Sequence, residues 1–232
     1  MLCTEEIVRS NIRNRDGKRV FFLGENDTLT PGARDFLTRQ RISILPASQA
    51  AITEYRLPCG GILTDKPEHM THLHSNVLVP KTHPRIAFRG AMDTLEAELL
   101  LCQAEAEAPV NAQIGEILAL ARGLIRCEVM EEPVRLTGLC GLSDAELRSH
   151  SHHPEKYYGH PHFMPDASDS PLLLKLNRCR CACRAAELAA AGAFTTTDGL
   201  CARTDLLQAI NRMSSMLYIL MIRQKAKNSP SK

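Results

Sequence analysis

The sequence has 232 residues, of which 44% are hydrophobic and 23% are charged; this balance is typical of a globular protein and excludes a disordered chain. The net charge of +2 is too small to predict a nucleic-acid partner, and no apolar run approaches the roughly 20 residues of a membrane span. The N-terminal residues include acids where a secretory signal would be apolar, and the nine cysteines are an odd number. We therefore expect a cytoplasmic protein with reduced thiols and no membrane partner.

Residues 1–47 are predicted to form a small α/β appendage. Apolar stretches at 19–23 and 41–45 predict two short strands. Between them, Thr30 has the side chain of a helix N-cap, and Pro31 suits the first helical position. The order strand, helix, strand indicates a βαβ-like unit. The next segment, 48–90, is predicted to be irregular because prolines and glycines interrupt it repeatedly.

From residue 92 onward, apolar residues recur at steps of three and four, which is the period of an amphipathic helix. Four stretches show this period, near residues 92–106, 114–125, 172–190 and 206–220. Long helices with such spacing favour a bundle that occupies 91–232. The predicted fold class is therefore mainly α, with about five helices in a bundle and a small N-terminal α+β appendage.

Three polar residues of the third stretch share a helix face that differs from its apolar face. Arg180, Arg184 and Glu187 lie at positions i, i+4 and i+7. Two guanidiniums one turn apart can bind phosphate oxygens, because each presents a planar fork of donors. The alternative, which the spacing alone favours, is a solvated face on which Arg184 pairs with Glu187.

Two further helical positions admit either a structural or a functional interpretation. Asn211, Ser215 and Tyr218 share one face of the last helix, and asparagine is a poor choice there unless its amide has a partner. That face is either a surface stripe or a ligand-facing one. Asp93 is predicted to open a helix over 92–108, where the helix dipole favours a carboxylate; it could equally pair with an arginine of another helix.

One group of histidines and one group of cysteines suggest metal sites. His152, His160 and His162 could chelate a metal ion, although the prolines and glycine around them predict a loop of undefined geometry. Cys179, Cys181 and Cys183 cannot converge on one ion, because residues two apart on a helix point about 200° apart. We expect Cys179 and Cys183 to be small buried hydrophobes.

Three motifs occur in order along the chain: VPKTHPRIAFRGAMD at 79–93, RCACRAAE at 180–187 and AINRMS at 209–214. Together they resemble the ATP:cob(I)alamin adenosyltransferases of the PduO type. Other motifs are similar to the ethanolamine-utilisation (EutT) branch of that family. These are TPGAR at 30–34, THL at 71–73, GLSD at 141–144, SHHP at 151–154 and LLQAINR at 206–212.

Two features depart from the family pattern. The glycine-rich nucleotide loop of the PduO type is missing, and residues 71–81 occupy its place. The metal motif H-x11-C-C-x2-C of many members of the ethanolamine branch retains only Cys59, because Tyr55 and Arg56 stand where its paired cysteines would be. We therefore expect a variant of that branch without a protein-bound metal ion.

The resemblance implies an enzyme that transfers the 5′-deoxyadenosyl group of ATP to Co(I) of a corrinoid. The products would be adenosylcobalamin, for ethanolamine ammonia-lyase, and triphosphate. The implied ligands are ATP with Mg²⁺ and cobalamin. A flavoprotein reductase for Co(II) and further copies of the chain, as a homotrimer or else a dimer, are the implied partners. The implied location is the cytoplasm, inside or associated with a bacterial microcompartment.

The resemblance also implies roles for individual residues. Asp93 and Arg180 would form an ion pair on the wall that faces the corrinoid, and Phe163 would be the apolar wedge beneath the cobalt. The residues implied to bind the nucleotide or the corrinoid are Lys81, Arg184, Glu187, Asn211, Arg212, Thr71, His72 and His162. The histidine-rich segment would then be a lid over the corrinoid.

Two other hypotheses remain at this point. A non-catalytic corrinoid carrier or sensor could use the same bundle. A metal-dependent hydrolase could use His152, His160 and His162.

Overall fold

The computed structural model describes residues 1–15, 18–49 and 54–228. The chain divides into two compact units, one of Met1–Tyr55 with Ile62–Asp65 and the other of Arg56–Gly61 with Lys66–Lys232. Within the described ranges, no helix is both long and apolar enough to cross a membrane.

The first unit combines short strands with two helices. Its elements up to residue 49 are β1 (Leu2–Cys3), α1 (Glu5–Ser10), β2 (Arg13–Arg15), β3 (Lys18–Leu23), β4 (Thr28–Leu29), α2 (Pro31–Arg39), β5 (Ser43–Pro46) and a 3₁₀ turn (Ala47–Gln49). Strands β3 and β5 pair in parallel with α2 between them, which confirms the βαβ-like unit. The Thr30 hydroxyl accepts a hydrogen bond from the Ala33 amide at 3.3 Å, so Thr30 is the predicted N-cap of α2.

The rest of the chain is mainly helical. Its elements are β6 (Tyr55–Arg56), β7 (Ile62–Leu63), β8 (Met70–His74), β9 (Val77–Pro80), α3 (Pro84–Glu105), α4 (Val110–Val129), β10 (Gly138–Leu139), β11 (Leu142–Ser143), α5 (Asp144–His152), α6 (Pro154–Tyr158), α7 (Pro171–Phe194) and α8 (Thr204–Asn228). Helix α3 contacts α4 and α7, and α7 contacts α8. This arrangement is the predicted helical bundle.

The segment 48–90 is more regular than its prolines and glycines suggested. Strands β8 and β9 form an antiparallel hairpin. Helix α3 begins at Pro84, because proline suits the first helical position and the His83 ring accepts a hydrogen bond from the Arg85 amide at 3.2 Å. Asp93 therefore lies well past the first turn of α3, and the prediction that it opens a helix is wrong.

The four predicted apolar stripes form one core. Their buried members are Met92, Leu95, Leu99, Cys102 and Ala106; Ile114, Ile117, Leu118, Ala121 and Leu124; Leu176, Cys179, Cys183, Ala186 and Ala190; and Leu206, Ile210, Met213, Leu217 and Leu220. Burial raises the pKa of Cys183 to about 12, so its thiol stays neutral. Cys179 and Cys183 are buried hydrophobes, as predicted.

A buried carboxylate joins α3 to α4. Glu128 is fully buried and lies 2.5 Å from Nε of Arg85 and 2.6 Å from Nε of Arg89. Arg89 also donates to the Leu73 carbonyl of β8 at 2.7 Å. The carboxylate thus balances two arginines, one of which holds the hairpin against α3.

Replacing Glu128 by glutamine should lower the free energy of unfolding by about 3 kcal/mol, because the partly buried Arg89 would lose its carboxylate partner and Arg85 would be left with the exposed Glu131. Urea denaturation of the full chain measures this. Glu131→Gln is the control, since Glu131 also pairs with Arg85 but is 62% exposed, and it should cost about 0.5 kcal/mol. Equal costs for the two variants would show that burial of the Glu128 carboxylate is not what matters.

Candidate active site

A cavity of about 720 Å³ lies against α7 and α8. We call it the first cavity. The predicted site residues that line it are His162, Phe163, Arg180, Arg184 and Asn211. Residues from two helices and from the segment between α6 and α7 therefore meet at one place, although they span 50 positions of the chain.

Two of the arginines of α7, Arg180 and Arg184, are available to a ligand. The Arg180 guanidinium lies 5.1 Å from the centre of the Tyr218 ring, and Arg184 is exposed. Within the described part of the chain, neither arginine forms an ion pair, and the alternative pairing of Arg184 with Glu187 does not occur. The geometry therefore leaves two cations, one turn apart, at the wall of the first cavity.

Tyr218 holds the segment that carries Phe163. The Phe163 and Tyr218 rings stack with centres 6.3 Å apart. His162 bonds to two other residues: Nε2 donates to the His152 carbonyl at 3.2 Å, and Nδ1 lies 2.9 Å from the Tyr218 hydroxyl. Tyr218 of α8 thus holds the apolar ring of Phe163 at the wall of the first cavity, which Arg180 and Arg184 also line.

The histidine-rich segment is largely helical, which corrects its prediction as a loop. Ser143 and Glu146 form a capping box that begins α5, and Pro154 takes the first position of α6. Gly159 ends α6 with φ of 66°, a conformation that favours glycine. The prolines and glycine of this segment therefore delimit helices.

The three histidines proposed as metal ligands do not converge. The His160 ring bonds to the Pro161 carbonyl at 2.8 Å, and both ring nitrogens of His162 have partners as described above. Among the residues that the structure describes, no group of three or more His, Cys, Asp or Glu side chains could hold a metal ion. The geometry thus does not support the hydrolase hypothesis.

A second cavity, of about 370 Å³, shares His152 and Asn211 with the first. Glu187 and Arg212 line it, together with Arg148 and Gln208. The Asn211 amide donates to Glu187 at 3.1 Å and accepts from Arg212 at 2.8 Å. Asn211 therefore has the amide partners that its place in a helix requires, and it joins the walls of both cavities.

The remaining predicted residues line neither cavity. Asp93 is exposed on α3, and no ion pair joins it to Arg180 within the described residues. Lys81 pairs with Glu68 at 2.8 Å. Thr71 and His72 belong to β8. The roles assigned to these four residues stay predictions.

Three residues that lie at or beside the cavities received no role of their own from the sequence. Tyr218 supports Phe163, Arg148 lines the second cavity, and Asp144 bonds to Arg212 at 2.7 Å. The signals were present but weak: Tyr218 shares a helix face with Asn211, and Asp144 ends the GLSD motif. Nothing in the spacing marked Arg148.

The fold and these contacts define a helical-bundle protein with a cation-lined cavity. Residues 62–224 match the cobalamin adenosyltransferase family. Because this match covers more than half of the chain, the protein belongs to that family.

Curated relatives and a solved structure agree with this assignment. The chain is 30% identical to the corrinoid adenosyltransferase EutT of Salmonella typhimurium, covering 97% of this chain and 92% of that protein. It is also 30% identical to EutT of Escherichia coli K12, covering 94% and 90%. A PduO-type ATP:corrinoid adenosyltransferase variant from Lactobacillus reuteri, solved with cobalamin and ATP, superposes with a TM-score of 0.50. It shares 15% identity and covers 80% of this chain and 94% of its own, so it supports the fold alone.

Replacing Tyr218 by phenylalanine should loosen the segment 160–165, because the hydroxyl that bonds to His162 is removed. We expect amide hydrogen exchange in that segment to be about fivefold faster, which corresponds to the loss of one ordinary hydrogen bond. Tyr157→Phe is the control: it loses a hydroxyl bonded to Ser149 at 2.8 Å. Unchanged exchange in Tyr218→Phe would show that the Tyr218 hydroxyl does not hold this segment.

Proposed function

We propose that the protein transfers the 5′-deoxyadenosyl group of ATP to Co(I) of a corrinoid, giving adenosylcobalamin and triphosphate. One observation carries the proposal: Arg180, Arg184 and the apolar ring of Phe163 line the same cavity. Membership of the cobalamin adenosyltransferase family and the similarity to two EutT proteins support it.

The reaction depends on the positioning of the two substrates more than on acid–base catalysis by the protein. The lone pair of Co(I) attacks C5′, the Co–C bond forms and the C5′–O5′ bond breaks. The bonding electrons leave on the triphosphate, and cobalt becomes formally Co(III). Because the corrinoid is itself the nucleophile, the protein needs no covalent side chain. Its tasks are to hold C5′ in line with cobalt and to stabilise the departing charge.

The second of these tasks falls to the cations of α7. As the C5′–O5′ bond breaks, negative charge grows on the triphosphate, and the forked donors of Arg184 suit its oxygens. Asn211 contributes an amide at the same wall. Glu187 uses only one carboxylate oxygen for Asn211, which leaves the other for the nucleotide or for the Mg²⁺ that accompanies ATP. Lys81 would approach the phosphates from the hairpin.

Phe163 suits the apolar side of the site. Co(II) is hard to reduce while a lower axial ligand is bound, and an aromatic ring in that position would exclude the ligand and leave a four-coordinate ion. The stacking of Phe163 on Tyr218 supports this role, because it holds the Phe163 ring in place. The Phe163 side chain itself has no polar atom that could bind cobalt.

Asp93 and Arg180 would pair between copies of the chain. Each is without an ion pair within the described residues of one chain, and Asp93 is exposed on α3. A homotrimer, or else a dimer, would bring an Asp93 carboxylate to the Arg180 of a neighbour.

We further propose that a flavoprotein supplies the electron for Co(II), that the product serves ethanolamine ammonia-lyase, and that the protein works in the cytoplasm, in or beside a microcompartment.

The test is product analysis with ATP, Mg²⁺ and chemically reduced cobalamin. Adenosylcobalamin and intact triphosphate in equal amounts are expected. Orthophosphate as the only phosphate product would indicate an ATPase instead. Corrinoid binding without turnover would indicate the carrier or sensor.

Arg184→Ala should lower kcat/KM about 100-fold, because a cation that acts on the leaving group is lost. Steady-state rates of adenosylcobalamin formation measure this. The control is Arg178→Ala on the same helix, where the side chain is 72% exposed and pairs with Glu98. We expect near-parent rates for the control, and similar losses in both variants would refute the role of Arg184.

Phe163→Ala should separate reduction from transfer. With cobalamin already reduced to Co(I), we expect near-parent rates, since the wedge acts before transfer. With Co(II) and a reductase, we expect a strong loss of rate. Met164→Ala is the control, because Met164 lines the same cavity but is 87% exposed. Equal losses in both assays would rule out the wedge.

A further inference from the structure

We infer that Asp144 is a positioning residue for the nucleotide, acting on Glu187 through Arg212 and Asn211. This inference rests on the proposed function, since it assigns the second cavity to part of ATP. Asp144 itself lines neither cavity. Its effect must therefore pass through the side chains that do.

The four side chains form an unbroken chain of hydrogen bonds from α5 to α8 and on to α7. Nε of Arg212 donates to Oδ1 of Asp144 at 2.7 Å. Nη1 of Arg212 donates to Oδ1 of Asn211 at 2.8 Å. Nδ2 of Asn211 then donates to Oε1 of Glu187 at 3.1 Å. Each link is within ordinary hydrogen-bond distance.

The direction of these bonds decides what the network does. The side-chain amide of an asparagine can rotate by about 180°, which exchanges the positions of its acceptor oxygen and its donor nitrogen. Arg212 can only donate, so it binds the oxygen of the Asn211 amide and leaves the nitrogen for Glu187. A reversed amide would place its oxygen against the Glu187 carboxylate, which is unfavourable. Arg212 thus determines which way Asn211 faces and where Glu187 rests.

Asp144 keeps Arg212 in that position. Arg212 is only 8% exposed, so its charge needs a close counter-ion. Hydrogen bonds from Arg212 and then from Gln208 lower the pKa of Asp144, which keeps the carboxylate charged near neutral pH. Without it, the nearest carboxylate along the network is Glu187. We expect Arg212 to turn toward Glu187 and withdraw it from the ligand.

The position of Asp144 is itself set by local structure. It is the first residue of α5, directly after the N-cap Ser143, and the reciprocal bonds of Ser143 with Glu146 hold that helix start. Nε2 of Gln208 donates to the same Asp144 oxygen at 3.0 Å. Two donors of α8, Gln208 and Arg212, thus bind the same oxygen of Asp144 and fix its position.

The test is the steady-state kinetics of Asp144→Asn, which keeps the shape of the side chain and removes its charge. We expect KM for ATP to rise about tenfold, the effect of losing one charge-assisted hydrogen bond. KM for cobalamin should stay at the parent value, because the first cavity keeps its arginines and Phe163. Asp144→Glu, which restores the charge, should recover part of the loss.

Glu146→Gln is the matched control. It removes a carboxylate two residues away on the same helix and weakens the capping box, but it does not touch Arg212. If α5 merely supports the fold, the control and Asp144→Asn should change both KM values alike, and the inference is overturned. Unchanged KM for ATP in Asp144→Asn also overturns it.

ATP binding by calorimetry distinguishes this inference from the proposed function. If the parent binds ATP without turnover, the proposed reaction is wrong, but weaker ATP binding by Asp144→Asn still supports the network. Equal ATP binding by parent and variant overturns the network. If Asp144→Asn does not fold, Asp144→Ser, which also removes the charge, carries the test, and parent-like ATP affinity together with parent-like KM for ATP in Asp144→Ser would overturn the inference.

Discussion

The packing of α7 against both α3 and α8 is the constraint on which the candidate site depends. Cys179 and Cys183 are buried in this packing, and the helical period then places Arg180 and Arg184 on another face of α7. That face meets α8 at Asn211 and Tyr218. The buried apolar face of α7 therefore positions the charged groups of the helix, although that face contacts no ligand itself.

The arginines of the core and those of the first cavity differ in whether a carboxylate pairs with them. Glu128 is fully buried and holds two arginines, and Arg212 is nearly buried and held by Asp144. By contrast, Arg180 and Arg184 face a cavity without a carboxylate partner among the described residues. Pairing buried cations avoids the high cost of an isolated charge, and leaving cavity cations unpaired keeps them free for anionic substrate groups. This contrast is the physical basis for assigning the leaving group to α7.

The predictions from sequence succeeded where a local pattern carried the information. The apolar stripes identified the bundle, and Thr30 with Pro31 identified the start of α2. The prediction for the histidine-rich segment was wrong because a proline can begin a helix as well as interrupt one. Pro154 begins α6 and Pro84 begins α3, and composition alone does not distinguish these cases.

The amino-acid sequence by itself determined the bundle, the shared face of Arg180, Arg184 and Glu187, and the motifs of a corrinoid adenosyltransferase, because helical period and residue order are local properties. Only the tertiary structure decided which of these groups have partners. It joined Asn211 to Glu187 and Arg212 to Asp144, and it placed Phe163 on Tyr218. Those contacts link residues 24, 68 and 55 positions apart, and pairing at such separations depends on how helices pack, which no local spacing records.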